Sequence, residues 1–248
     1  MNRPRLADKT ILICGGATGI GAATAALAVS EGATVVVNYR SRQADAQALC
    51  ARLRDAGGRA SAVQADLTDP AAVDAMIAGL GTIDGFVHSV SAPIAVEPLA
   101  GVEWPVFETH WESSVKSAVL LVKAFMAREA LPRAGVFVSS VVASGGPPPR
   151  DWSPYVTAKY GLLGFVRSIA QEAAGRGLRL NLVSPGLTET PLTANIDARR
   201  RELIGRSTPL GRLGTVDEAA AAIAFLLSDE SAYIAGANLP VSGGTAFS

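Results

Sequence analysis

Short runs of β-branched and other apolar residues recur along the chain, separated by longer stretches in which apolar residues repeat at helical spacing. Seven runs are short enough to be strands, and several are apolar at consecutive rather than alternate positions. Consecutive apolar positions indicate strands buried on both faces, as in a parallel sheet covered by helices. We therefore predict strands at Thr10–Cys14, Thr34–Asn38, Ala60–Gln64, Gly85–Ser89, Val136–Ser139, Arg179–Ser184 and Asn238–Val241.

Alanine-rich stretches between these strands carry apolar residues every three or four positions, the period of an α-helix. Strands and helices alternate without a long linker or a repeat, which predicts one α/β domain over residues 1–248. In it, helices cover both faces of a seven-stranded parallel sheet in a doubly wound arrangement. The predicted helices are Gly21–Ser30, Gln43–Ala56, Ala71–Gly79, Val106–Glu129, Tyr155–Gly175 and Val216–Leu227.

Two segments interrupt the alternation. Gly145–Pro154, with the sequence GGPPPRDWSP, holds too much proline for a helix or a central strand, so we expect a surface loop. Residues 185–210 join the sixth strand to the last helix. Their length suits a loop that closes over a substrate, and we call them the lid.

Composition narrows the possible partners. The 248 residues carry 22 basic and 22 acidic side chains. Nucleic-acid binding needs a basic face, so we expect no nucleic-acid partner. The chain has neither an apolar run near the ~20 residues that span a bilayer nor an apolar signal segment, so we expect no membrane contact and a cytoplasmic location. Cys14 and Cys50 lack neighbouring ligands, so we expect free thiols and no metal site.

A glycine-rich turn, CGGATGIG over residues 14–21, follows the first strand and leads straight into the first helix. Glycines at 15, 19 and 21 allow a pyrophosphate to approach backbone N–H groups, and the helix N-terminus faces the negative charge. Glycines also simply end strands. At this place in an alternating chain, the spacing favours dinucleotide binding.

The second strand ends in NYRSR, residues 38–42, where NAD-binding folds carry a carboxylate for the ribose hydroxyls. No carboxylate is present here. Either Arg40 or Arg42 would pair with the 2′-phosphate of NADP, and Ser41 would add a hydroxyl. The alternative is two solvated arginines at a helix start, which the helix dipole disfavours. We therefore predict that NADP(H) is favoured over NAD(H).

Tyr155 and Lys159 lie four positions apart at the start of a predicted helix, so their side chains share one face. A neighbouring ammonium group lowers the pKa of a phenol by favouring the phenolate. Ser139 and Ser140 end the fifth predicted strand, at the sheet edge where open α/β folds bind ligands. A hydroxyl there can donate a hydrogen bond to a carbonyl oxygen of a substrate.

In combination, these motifs resemble the classical short-chain dehydrogenase/reductases, a Rossmann-fold family, and among them the 3-oxoacyl-carrier-protein reductases. The resemblance covers essentially the whole chain. It also includes the family's adenine-contacting segment, its nicotinamide-side P-G-x-x-x-T and its closing strand, which match Ala65-Asp66-Leu67, Pro185-Gly186 with Thr190, and NLPVSGG over residues 238–244.

The resemblance implies that Tyr155 is the general acid/base and that Lys159 lowers its pKa and holds the nicotinamide ribose. Ser140, in preference to Ser139, would orient the carbonyl. The implied cofactor site consists of Gly15, Thr18, Gly19, Ile20, Gly21, Arg40, Ser41, Asp66, Leu67, Ser89, Tyr155, Lys159, Pro185, Gly186 and Thr190.

Two positions depart from the family's pattern. His88-Ser89-Val90-Ser91 replaces Asn-Asn-Ala-Gly, and Ser114 stands where the family has the asparagine of a proton relay. Either Ser114 takes over the relay water or the relay runs elsewhere. His88 is either an added proton carrier or a satisfied structural group. The His-Ser pair also resembles the enoyl-reductase branch, which spaces its tyrosine and lysine seven apart.

We therefore predict an NADP(H)-dependent oxidoreductase that transfers hydride between nicotinamide and a small-molecule ketone or secondary alcohol. One alternative is a reductase or dehydratase acting on a conjugated or unusual substrate through His88 and Ser114. Another is a non-catalytic dinucleotide sensor, which would not need to keep Tyr155 and Lys159.

The basic residues of the lid leave the substrate open. They would either meet an anionic substrate or form a solvated helix face. Arg176 matches a residue that carrier-protein reductases use for docking, but Leu131 occupies the companion basic position. The lid residues in question are Arg199, Arg200, Arg201 and Arg206.

The helices predicted at Val106–Glu129 and from Tyr155 are apolar nearly all round, so each should be buried on more than one face. In the family resembled, these helices pair with their copies across a two-fold axis. The resemblance therefore implies a homotetramer, or at least a dimer. The alternative is a monomer in which the loop Gly145–Pro154 covers the extra apolar surface.

Overall fold

Seven parallel strands form the sheet of the computed structural model, which describes residues 4–145 and 148–246. Their order is β3-β2-β1-β4-β5-β6-β7. The order reverses between β1 and β4, and open α/β sheets bind ligands in the crevice at such a reversal. The strands are β1 (Thr10–Cys14), β2 (Thr34–Tyr39), β3 (Arg59–Gln64), β4 (Gly85–His88), β5 (Ala134–Val138), β6 (Arg179–Pro185) and β7 (Asn238–Val241).

Helices cover both faces of this sheet, and alternate residues of β1 show the division. Ile11 and Ile13 pack with residues of α1, α2 and α8, whereas Leu12 packs with residues of α3, α5 and α6. The helices are α1 (Gly19–Ser30), α2 (Gln43–Asp55), α3 (Pro70–Gly79), α4 (Trp104–Trp111), α5 (Ser117–Met126), α6 (Ser153–Gly175), α7 (Ala198–Ser207) and α8 (Val216–Leu227). The predicted fold class is confirmed.

The single helix predicted over Val106–Glu129 is wrong in one respect. The chain forms α4, then a π-helical turn at Glu112–Lys116, then α5. A π turn inserts one extra residue per turn, which hydrophobic periodicity does not reveal. The turn places Ser114 and Ser117 in the interior, where both are fully buried.

The lid, residues 185–210, is not the plain loop that its length suggested. It contains a 3₁₀ turn at Pro191–Thr193 and the helix α7. The Asp197 side chain caps α7 by accepting a hydrogen bond from the backbone N–H of Arg200 at 2.8 Å. The lid is tied to the segment after β4, since Asn195 Nδ2 donates to the carbonyl of Ile94 and Ile94 N donates to that of Leu192.

The predicted proline-rich loop, Gly145–Pro154, falls partly outside the described residues, because positions 146 and 147 are not among them. Residues 148–152 are irregular, and α6 begins at Ser153. Pro154 lies in the first turn of α6, where a missing backbone N–H costs no hydrogen bond.

Two further expectations concern the thiols and the membrane. Cys14 and Cys50 are buried and free, as predicted, and burial raises the pKa of both thiols. Across residues 4–145 and 148–246, no helix combines the length and apolar character that crossing a bilayer requires.

Candidate active site

A cavity of about 1080 Å³ lies at the carboxyl ends of the central strands. It brings together most of the predicted site residues: Gly15, Thr18, Gly19, Ile20, Arg40, Ser89, Ser140, Tyr155, Lys159, Pro185, Gly186 and Thr190. It also includes Arg42 and Ser139. Five predicted residues do not line it, namely Gly21, Ser41, Asp66, Leu67 and Ser114.

The glycine turn after β1 brings its backbone close to the segment after β4. Gly15 has φ +71°, and a Cβ there would lie 2.5 Å from the carbonyl oxygen of Ser89. A Cβ on Gly21 would lie 2.4 Å from the carbonyl oxygen of Gly15, so Gly21 packs behind the turn instead of lining the cavity. Thr18 is the N-cap residue of α1 but makes no side-chain cap hydrogen bond. This cradle at a helix N-terminus fits the pyrophosphate of a dinucleotide.

Two arginines, Arg40 and Arg42, line the end of the cavity near β2, and Arg42 Nη1 pairs with Asp45 Oδ2 at 3.3 Å. Arg40 Nη1 lies 3.9 Å from Asp66 Oδ2. Burial raises the pKa of Asp66, but hydrogen bonds from Thr68 and the charge of Arg40 outweigh it and leave the pKa below its usual value. Ser41 is exposed outside the cavity.

Leu67 does not contact the cavity for a different reason. Its side chain is 4% exposed and belongs to the apolar core between the sheet and helices α3, α5 and α6. Any contact that it makes with a cofactor therefore runs through its backbone.

Tyr155 and Ser140 lie together at the carboxyl end of β5. Tyr155 is in the first turn of α6 and is buried. Burial raises the pKa of Tyr155 to about 12, while a hydrogen bond with the side chain of Ser140 lowers it. Ser139 also lines the cavity, but its hydroxyl is buried without a hydrogen-bond partner. The contact with Tyr155 favours Ser140 for the carbonyl-orienting role.

Lys159 does not act on Tyr155 as expected. Its Nζ donates a hydrogen bond to the carbonyl of Val138 at 3.0 Å and lies 5.5 Å from the centroid of the Tyr155 ring. Burial lowers the pKa of Lys159 to about 8. The predicted depression of the Tyr155 pKa by Lys159 is therefore corrected: in this structure burial dominates and raises the Tyr155 pKa.

His88 is linked to the π turn. Its Nε2 lies 2.7 Å from Ser117 Oγ, and Ser117 donates its only hydroxyl proton to the carbonyl of Ser113 at 2.6 Å. His88 must therefore donate through Nε2, which leaves Nδ1 as a buried acceptor without a partner. Burial, with the charge of Lys159, lowers the pKa of His88 to about 3.

This arrangement bears on the two interpretations of His88. The path from His88 through Ser117 ends on a backbone carbonyl, which cannot pass a proton onward. His88 also does not line the cavity. Both observations favour a structural role, in which His88 fastens the end of β4 to the π turn. Ser114, in the same turn, has a buried hydroxyl without a hydrogen-bond partner.

Two aromatic neighbours of Tyr155 were not predicted from the sequence. The His110 ring meets the Tyr155 ring edge-on at 6.0 Å, and the Trp152 ring does so at 6.1 Å. Burial, with the charge of Lys159, lowers the pKa of His110 to about 4. No sequence signal joins His110 to Tyr155, since they are 45 positions apart, whereas Trp152 lies only three residues before Tyr155.

The lid arginines do not line the cavity. Arg206 pairs with Glu202 at 2.6 Å, and Arg200 lies over the Trp152 ring at 5.4 Å. Arg176 is exposed, and its guanidinium donates to the carbonyls of Met126 and Arg128 at the end of α5. Over the described part of the chain, no group of three or more His, Cys, Asp or Glu side chains is placed to hold a metal ion.

The chain is similar to several characterised proteins. A family model described as Enoyl-(Acyl carrier protein) reductase matches residues 15–246. The chain is 34% identical over 242 residues to the cis-4-hydroxycyclohexanecarboxylate dehydrogenase of Sinomonas cyclohexanicum, covering 96% of each. It is also 34% identical over 245 residues to the 3-oxoacyl-acyl-carrier-protein reductase FabG of Escherichia coli K12, covering 95% of this chain and 96% of that protein.

Solved structures of dehydrogenases have a similar fold. A short-chain dehydrogenase from Burkholderia cenocepacia J2315 in complex with NADP matches with a TM-score of 0.87 at 29% identity, covering 97% of this chain and 99% of that one. A dehydrogenase/reductase from Sinorhizobium meliloti 1021 matches with a TM-score of 0.88 at 28% identity, covering 98% and 97%.

The fold and the cavity define a dinucleotide-binding oxidoreductase of small molecules. With these relatives, the chain belongs to the classical short-chain dehydrogenase/reductase family and is similar to its 3-oxoacyl-acyl-carrier-protein reductases.

Proposed function

We propose that the protein transfers hydride between NADP(H) and a small-molecule ketone or secondary alcohol, with Tyr155 as the general acid/base. The observation that carries the proposal is one cavity in which Tyr155, Ser140 and Lys159 lie beside the glycine cradle. The two named relatives support it, since they are a dehydrogenase of a hydroxycyclohexane and a reductase of 3-oxoacyl groups.

The cofactor supplies the hydride, and the residues of the chain bind it and handle the proton. Gly15, Thr18 and Gly19 would hold the pyrophosphate, and Pro185, Gly186 and Thr190 on β6 and the lid would lie beside the nicotinamide. Lys159 would reach the nicotinamide ribose. Gly21 would support the glycine cradle from behind, and Asp66 and Leu67 would lie beside the adenine.

The proton chemistry falls to Tyr155 and Ser140. The high pKa of Tyr155, about 12, keeps its hydroxyl protonated and able to donate to an oxygen that becomes an alkoxide. Ser140, which hydrogen-bonds Tyr155, would donate to the same oxygen and stabilise its developing charge. Lys159 remains a cation beside Tyr155 at pH 7, because its pKa of about 8 exceeds that pH.

A second candidate is a reductase of conjugated carbonyl compounds. The His88-Ser89 pair and the description of the matching family model favour it. The four-residue spacing of Tyr155 and Lys159 opposes it, because the enoyl-reductase branch resembled has seven. Ser114, with its unpartnered buried hydroxyl, would hold a relay water in either reaction.

A screen of NADPH and NADH oxidation at 340 nm over ketones, 3-oxoacyl thioesters, enones and imines tests the proposal. We expect turnover of ketones with NADPH. Turnover of enones alone would replace the proposal with the second candidate. Cofactor binding without turnover of any substrate class would favour the dinucleotide sensor.

We predict a preference for NADPH over NADH of at least about tenfold, the size of one charge-assisted contact of ~1.4 kcal/mol. Arg40 and Arg42 line the cavity at the β2 end, so replacing either by Ala should reduce the ratio of the two dissociation constants. Fluorescence titration with both cofactors measures this ratio. Arg52→Ala, an exposed position on α2, is the matched control. Equal affinities in the wild type would contradict the prediction.

We also predict a homotetramer, or at least a dimer through α4, α5 and α6. Large apolar side chains remain exposed on these helices: Trp104 is 67% exposed and Trp111 and Tyr160 are each 47% exposed. Light scattering coupled to size exclusion should give a mass of about two or four times 25.5 kDa. Trp111→Glu should shift the mass downward, and a wild-type mass near 25.5 kDa at micromolar concentration would rule the assembly out.

We also propose a cytoplasmic location, because the two buried cysteines are free thiols, as expected in a reducing compartment.

A further inference from the structure

An apolar cluster surrounds Tyr155 at the substrate end of the cavity. Its buried members besides Tyr155 are Ile94, Val142, Trp152 and Ile196, with Leu187 and Leu192 packed against them. The lid supplies Leu187, Leu192 and Ile196, and the segments after β4 and β5 supply Ile94, Val142 and Trp152. The substrate end is therefore built from both the lid and these two segments.

Each charged group that lines the cavity is paired with a carboxylate, assigned to the cofactor or remote from Tyr155. Among the described residues, its charged lining consists of Arg40, Arg42, Lys159, Arg212 and Glu218. Arg40 and Arg42 lie at the β2 end. Arg212 forms a bidentate pair with Glu218, at 2.9 and 2.6 Å. Lys159 donates a hydrogen bond to the carbonyl of Val138, and the proposed function assigns its remaining protons to the nicotinamide ribose. An anionic group on a substrate beside Tyr155 would therefore lose water without gaining a free cation, which is costly.

Trp152 is the largest side chain in this cluster and is 4% exposed. One edge of the indole meets Tyr155, and the guanidinium of Arg200 from α7 lies 5.4 Å from the ring centroid. Arg200 is oriented by a hydrogen bond from Nη2 to the carbonyl of Arg150 at 2.8 Å. The indole is thus clamped between the tyrosine and the lid.

We propose that Trp152 is a specificity-determining wall of the substrate end, positioned by Arg200, and that it selects neutral carbonyl compounds whose flanking groups are compact hydrocarbons. The inference rests on the proposed function, which supplies Tyr155 as the reacting partner. It names the class of substrate and extends the site to two residues that the cofactor does not require.

The first experiment compares 4-oxocyclohexanecarboxylate with its methyl ester, using NADPH and the full chain. We expect kcat/KM for the ester to exceed that for the acid by at least about tenfold, since a buried unpaired charge is strongly disfavoured. Equal values, or a preference for the acid, would overturn the proposed neutral class.

The second experiment compares cyclohexanone with 4-phenylcyclohexanone. Trp152→Ala should raise the ratio of kcat/KM for the bulky ketone over the compact one by about tenfold or more. Trp152→Phe keeps a ring and should change this ratio much less. An unchanged ratio in Trp152→Ala would overturn the role of Trp152 as a wall.

The third experiment tests whether Arg200 positions Trp152. Arg200 lies on α7 at the surface of the lid, so its substitution should leave the core intact. Arg200→Met should raise the KM of cyclohexanone about three- to tenfold, the range of one cation–π contact, with kcat changed less than twofold. Arg199→Met, an exposed neighbour on α7, should leave both unchanged. The same KM in wild type and Arg200→Met would overturn the positioning role.

Calorimetric binding of the acid and the ester to the protein with NADP⁺ separates this inference from the function on which it rests. A lack of turnover of all ketones would overturn the proposed function. The ratio of the dissociation constants of the acid and the ester would then still test whether the site prefers neutral compounds. Stronger binding of the acid would contradict that preference.

Discussion

Tyr155→Phe is expected to lower kcat by about 10³-fold, within the usual range for loss of a general acid. The change removes one hydroxyl from a ring that is held in place by the edges of His110 and Trp152, so the ring position should be preserved. Without that hydroxyl, the proposed proton donor is lost. The dissociation constant of NADPH should stay within about twofold, because the phenol contributes little to cofactor affinity.

Tyr160→Phe is the matched control, because Tyr160 lies on the same helix with 47% exposure and does not line the cavity. Stopped-flow and steady-state rates of both variants, with fluorescence titration of NADPH, separate chemistry from binding. A Tyr155→Phe enzyme that retained a tenth of the wild-type kcat would remove Tyr155 from the acid/base role.

Lys159→Met should impair both catalysis and cofactor binding, with kcat lowered about 10²-fold or more and NADPH bound at least about tenfold more weakly. The change removes the cation that lies 5.5 Å from the centre of the Tyr155 ring, and the ribose contact would be lost. Lys123→Met, an exposed lysine on α5, is the control. An unchanged NADPH affinity would contradict the contact of Lys159 with the ribose. An unchanged kcat would contradict its role in catalysis.

The same variant should not lose stability at neutral pH. The pKa of Lys159 falls from 10.5 to about 8 on folding, so between these pH values the unfolded chain binds more protons. The free energy of unfolding of the wild type should therefore rise with pH in this window, by on the order of 2 kcal/mol. Urea unfolding at pH 7.5 and 9.5 measures this, and Lys159→Met should lack the rise. A wild type whose stability is flat over this range would refute the assignment.

Strands were predictable because those buried on both faces leave uninterrupted apolar runs. β1 and β7 match the predicted ranges, and β6 differs by one residue at its end. Helix α7 was not among the predicted helices, since its sequence ARRRELIGRS offers few apolar positions, although a solvated helix face was one interpretation of its arginines. It forms through the Asp197 cap and through packing of the lid, both of which depend on tertiary contacts.

The site was predictable where a motif restricts the backbone and not where side chains meet from distant segments. Glycines at 15 and 19 and the pair Tyr155 and Lys159 line the cavity as predicted. The pKa of Tyr155 was misjudged, because helical spacing brings the ammonium near the ring but does not report the burial or the Val138 carbonyl that binds it. Trp152 and its contact with Arg200 arise from the folded lid, which spacing does not describe.

The contact between Gly15 and Ser89 affects the order in which the protein folds. Ser89 N donates to the carbonyl of Cys14 at 2.9 Å, although three complete helix–strand units, α1–β2, α2–β3 and α3–β4, separate the two residues. Non-local pairings of this kind form late, because a long loop must close first. An intermediate holding only β1 to α3 would possess the glycine turn but not the wall against which it rests. Recovery of NADPH binding during refolding should therefore follow the docking of β4, so that cofactor binding distinguishes completed molecules from half-formed ones.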